Sequence, residues 1–101
     1  MTVKLSLLKS GEDVIADIEE MILDEKVVGY FFNDPCVVKL LAKDAGNAGK
    51  TPCQLQLTPW LPLTKETKIP VAPDWVITIV EPMPQLKKMY EEGVLNDGGQ
   101  D

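Results

Sequence analysis

Histidine and arginine are both missing from this 101-residue chain: its ten basic residues are all lysine, set against sixteen acids, for a net charge of −6. Without His there is no Ser-His-Asp or Cys-His nucleophile, no imidazole base and no His metal ligand. Without Arg there is no bidentate fork for phosphate, carboxylate or guanine. An active site would have to come from carboxylates, Lys, Tyr or Cys, and no cofactor or metal is expected. Cysteine is scarce as well: Cys36 and Cys53 have no CxxC spacing, read as buried free thiols and suit a reducing compartment. No run approaches the ~20 apolar residues of a membrane span. Lys4, Lys9, Glu12 and Asp13 break up any signal-peptide pattern. The sequence therefore predicts a soluble, cytoplasmic protein with no membrane partner.

A chain this short makes one domain with a thin core, burying only about two-thirds of the surface its unfolded state exposes. Free strand edges are a liability in a small β-protein, so barrel closure or edge pairing between copies is expected.

The chain opens with VKLSLLKSGEDVIADIEEMI, residues 3–22, in which apolar and polar residues alternate on both sides of Ser10-Gly11. That is a β-hairpin, with Val3, Leu5 and Leu7 on one face and the period of two resuming at Val14, Ala16 and Ile18. Asp24-Glu25-Lys26 is a polar break. VVGYFFNDPCVVKLLAK follows and reads as strand, turn, strand, with the turn at Asn33-Asp34-Pro35 because Pro35 cannot donate to a ladder. DAGNAGKTP, residues 44–52, is a loop by composition. CQLQL is a strand ended or bent by Pro59 and Pro62, which places Trp60 at a bulge or edge. Pro70 and Pro73 frame a turn before a last strand, Trp75 to Val80. The spacing of Leu86, Met89 and Tyr90 predicts an amphipathic helix over 85–92, stopped at Gly93 and packed on the barrel. The expected organisation is a β-barrel over 1–82, a helical segment over 83–95 and a disordered tail over 96–101.

Charge is unevenly spread: residues 1–35 carry −5, residues 36–70 carry +3 and residues 71–101 carry −4. A polyanion would therefore meet Lys39, Lys43, Lys50, Lys65 and Lys68, although solvated lysines on a β-surface explain the same pattern. The overall acidity argues against tight duplex-DNA binding. DAGNAGKT ends like a phosphate-binding loop, but Asp44 stands where the leading Gly belongs and Pro52 occupies the place of the helix, so an ordinary loop is the better reading. The acids Glu12, Asp13, Asp17, Glu19 and Glu20 read as a solvated strand face rather than a metal site. Asn33-Asp34-Pro35 is a turn on its own chemistry. Flanked by Tyr30, Phe31 and Phe32, it also offers an amide and aromatics for stacking a nucleobase.

LLKSGEDVIADI, NDPCVV, TPWLPLT and PDWVITIVEP, in that order, resemble the Sm/LSm family, and more specifically short Sm-like proteins of marine, cyanophage-like genomes. The resemblance implies a mainly β fold, a small, strongly bent five-stranded Sm-like (SH3-like) open barrel with a C-terminal helix. It also implies a homo-oligomeric ring of five to seven subunits around single-stranded RNA or DNA. Asn33 matches the family's loop Asn, whereas Ala72-Pro73 replaces its Arg-Gly. On this reading Asn33, Asp34, Tyr30, Ala72 and Pro73 contact bases, and Lys39, Lys65 and Lys68 contact phosphates. The sequence thus supports two noncatalytic readings: a ring that binds single-stranded nucleic acid, or a homo-oligomeric adaptor for protein–protein contacts.

Overall fold

The computed structural model describes residues 2–41 and 54–95. The loop over 44–52, Cys53, and the tail over 96–101 lie outside the described residues, as do Lys43 and Lys50. The described strands are β1 (Val3–Leu8), β2 (Asp13–Leu23), β3 (Lys26–Leu41), β4 (Gln54–Pro59), β5 (Lys68–Val71) and β6 (Val76–Val80). They form one antiparallel sheet in the order β4-β3-β2-β1-β6, with β5 also paired to β3. The described residues are thus mainly β, with one α-helix among them, α1 (Pro84–Tyr90), after the last strand.

The predicted opening hairpin forms. Gly11 takes φ +90°, a left-handed backbone that glycine adopts without a Cβ penalty, and donates to the Leu8 carbonyl at 2.9 Å. The polar break at Asp24-Glu25 is a two-residue turn with φ of 52° and 66°, the twist-matched geometry that closes hairpins.

The largest departure from expectation is at Asn33-Asp34-Pro35, where β3 does not turn but continues through all 16 of its residues. Ile15 pairs with Cys36 and Asp17 with Asn33, so Ala16 faces two residues, Asp34 and Pro35. This is a β-bulge, the one place in an interior strand where proline's missing N–H leaves no gap in the ladder. The bulge also divides the far edge of β3. Residues 30–33 pair with β5, and residues 36–41 pair with β4. Six strands are therefore described where a five-stranded barrel was expected, because β5, beyond the Trp60 to Thr67 loop, pairs with the part of β3 that precedes the bulge. Pro70, expected in a turn, lies within β5; it is accommodated because β5 is an edge strand.

A 3-10 turn, Pro73–Trp75, carries the chain from β5, beside β3, to β6, beside β1. So short a link between strands on opposite sides of the sheet makes the sheet curl. Inside the curl, Leu8, Val14, Ala16, Ile18, Phe32 and Val71 form the first core, with Trp60 half-buried against Phe32 at 6.0 Å between ring centroids. Ile15 points the other way. With Val3 and Cys36 it forms a second core that Leu86 and Tyr90 of α1 cover. β2 is therefore buried on both faces at its centre. The helix also runs past its predicted stop: it widens into a π-type turn over Glu91–Leu95, which brings Val94 onto this second core.

Candidate functional site

The bulge is the point where most elements meet. Asp34 sits at φ +50°, and its N–H donates to the Thr67 carbonyl at 2.7 Å. The Tyr90 hydroxyl, carried in by α1 and fully buried, reaches both the Asn33 and the Asp34 carbonyls at 2.9 Å. Burial, and then the negative Asp34, push the Tyr90 phenol far above its ordinary range, so it remains a hydrogen-bond donor. Burial, and then Asp17, push the Asp34 carboxyl up. Burial, and then Asp34, also raise the Cys36 thiol, which keeps it protonated and a poor nucleophile. The constellation is a latch: it fixes the bulge to the helix, and no activated nucleophile or base emerges from it. Among the described residues, no three of Cys, Asp or Glu come together in a way that would hold a metal.

The predicted contact residues are dispersed around this latch. Asn33, expected in a loop, is in mid-strand, and its amide donates to the Asp17 carbonyl at 3.0 Å and to Glu19 Oε2 at 2.7 Å. Lys68 lies 3.6 Å from Glu19 Oε2, and its ammonium is 4.6 Å from the centre of the Phe31 ring. Tyr30 lies opposite Glu20 and lines a separate cleft with Lys4. Lys39 is six residues along β3 from Asn33, about 20 Å at strand rise. Ala72 and Pro73 are exposed where β5 gives way to the 3-10 turn, and Lys65 stands exposed on the Trp60 to Thr67 loop. Asn33, Asp34 and Lys68 are thus neighbours, Lys65 lines a cavity together with Asp34, Tyr30 pairs with Val71 just before Ala72 and Pro73, and Lys39 lies apart.

Two features went unnoticed in the sequence. One is a cavity of about 320 Å³ beside the bulge, walled by Pro35, Pro59, Leu61, Pro62, Ile69 and Val94, with Asp34, Lys65 and Glu66 as its charged lining. The other is the outer edge of β6, a strand reading VITIV with no charge and no proline. Ile77 is 59% and Val80 46% exposed there, and Trp75 just ahead of it is 43% exposed. Among the described residues nothing covers that edge. The uncharged run itself was the available signal, since edge strands ordinarily carry a Lys or Pro that blocks further pairing.

Taken together, the fold and the latch define a small, curled β-protein stapled by its C-terminal helix. Residues 1–94 match the family model of DUF6561, a family of unknown function, and the chain belongs to that family. The match is to this family and not to the Sm/LSm family, which overturns the Sm-like assignment. That resemblance rested on element order and short turn motifs, which unrelated small β-folds share. No curated protein matches the chain. No helix among the described residues is long and apolar enough to cross a membrane.

Proposed function

We propose that the protein is a noncatalytic homo-oligomeric adaptor, an open SH3-like barrel that joins to further copies of itself through its sheet edges and serves protein–protein contacts. The observation that carries this reading is the bare β6 edge. β6 and β4 are the two ends of the strand path, they are of similar length, and neither carries a charge among its described residues. The third edge, β5, contains Pro70, which has no N–H to offer a new strand. We take as the complement of β6 the β4 edge of the next copy, whose stretch Gln54–Thr58 is free of proline and charge. Such a contact is heterologous, and repetition gives a ring if the rotation closes or an open chain if it does not.

The competing reading, single-stranded nucleic-acid binding, has less to work with. The Asn33 amide is already bonded, Lys68 is held by Glu19 and Phe31, and the net charge is −6. Ile77→Lys tests the proposal, because it places a charge on the β6 edge at an exposed position and leaves the core alone. Light scattering after size exclusion is expected to show an oligomer for the wild type and a monomer for the variant, with the same far-UV circular dichroism spectrum, and only the wild-type thermal midpoint is expected to rise with protein concentration. Saturable binding of labelled oligo(U) at physiological salt by a monomeric wild type would overturn the adaptor reading in favour of nucleic-acid binding.

A further inference from the structure

Resting on the self-association just proposed, we infer that the cavity beside the bulge is a socket for Trp75 of a second copy, with Asp74 of that copy set against Lys65 at the socket's rim.

Every pair in the sheet is antiparallel. If β6 of one copy adds to β4 of the next in the same sense, its first residue, Val76, lies beside the last residue of β4, Pro59. The residues just ahead of Val76 then extend past Pro59, toward Leu61 and Pro62. Those residues are Asp74 and Trp75, and Pro59, Leu61 and Pro62 form the apolar wall of the cavity.

Trp75 is prepared for such a role. Its N–H donates to the Ala72 carbonyl at 3.1 Å, and its own carbonyl accepts from the Lys9 N–H at 2.9 Å, so the backbone beneath the indole is fixed. An exposed tryptophan on a rigid turn loses little freedom on docking, and tryptophan entering an apolar pocket is a recurrent anchor of protein interfaces. The occupant is marked by charge. Asp74 precedes the indole in the chain, and Lys65 lines the socket. A second copy thus supplies an apolar anchor led by an anion, facing a socket whose one cation is Lys65 and whose lining also holds Asp34 and Glu66.

Sedimentation velocity over a concentration series tests this. Trp75→Ala is expected to weaken self-association by more than about tenfold. Asp74→Lys and Lys65→Glu are each expected to weaken it, and the double variant carrying both is expected to recover most of the loss, which a folding defect would not do. If Trp75→Ala assembles like the wild type while Ile77→Lys does not, the socket assignment falls and the edge contact stands. If Trp75→Ala is unchanged but Leu61→Lys dissociates the oligomer, another segment fills the socket and the assignment also falls. A wild type that is monomeric throughout overturns both readings. Failure of the double charge swap to recover assembly overturns the pairing of Asp74 with Lys65.

Discussion

Replacing Tyr90 with Phe isolates the latch, since the ring that fills the second core is kept and only the hydroxyl bonded to Asn33 and Asp34 is lost. Two carbonyls at a bulge are then left without their shared donor in a buried setting. An unmade hydrogen bond of this kind costs about 1–3 kcal/mol. We take about 1.5 kcal/mol, because the two acceptors share a single proton, which for a domain of this size lowers Tm by roughly 6–12 °C. Urea unfolding followed by the fluorescence of Trp60 and Trp75 should show a lower midpoint with an unchanged slope, as expected when compactness is preserved. The effect has a pH signature. The folded phenol is pushed far above its usual value, whereas the unfolded one ionises near pH 10. The stabilisation is therefore fully present below about pH 10 and is lost as pH rises beyond it, so the gap between wild type and Tyr90→Phe narrows in strong alkali. A variant with the wild-type midpoint at neutral pH would refute the latch.

Asp34→Asn should raise the unfolding midpoint at pH 7, because burial and then Asp17 disfavour the folded carboxylate, and Asn tolerates the same left-handed backbone. As the folded pKa lies above the unfolded one, that gain should disappear once pH falls below about 3.9 and both states are protonated, which a pH series of thermal melts will show. Gly11→Ala meets no atom within 4 Å but forces a Cβ onto φ +90°, so it should cost about 1–2 kcal/mol in denaturant titrations with no change in assembly.

Local pattern carried the hairpins. The alternation around Ser10-Gly11 and the polar break at Asp24-Glu25 are visible because a half-buried strand repeats every two residues and a tight turn needs particular backbone angles. The helix was legible for a similar reason, since Leu86 and Tyr90 fall one turn apart and both are buried. Asn33-Asp34-Pro35 misled because the same three residues suit a turn or a bulge. The choice was made by long-range pairing with Ala16, Thr67 and Tyr90, which no local window contains. The extra strand β5 pairs with β3 just before that bulge and was hidden with it. The socket was hidden too, as Pro35, Leu61 and Val94 are far apart in sequence and become neighbours only once β3 bulges and the helix docks. The family resemblance failed where element order was asked to stand for identity.

The central claim is that β6 is completed by another copy. Hydrogen–deuterium exchange of the β6 amides, measured on the wild type at low and high protein concentration and fixed salt, tests it most directly. Residues 76–80 are expected to gain protection as concentration rises while the β2 core is unchanged. Identical exchange of β6 at both concentrations, from a sample shown by sedimentation to span the monomer–oligomer range, would contradict it.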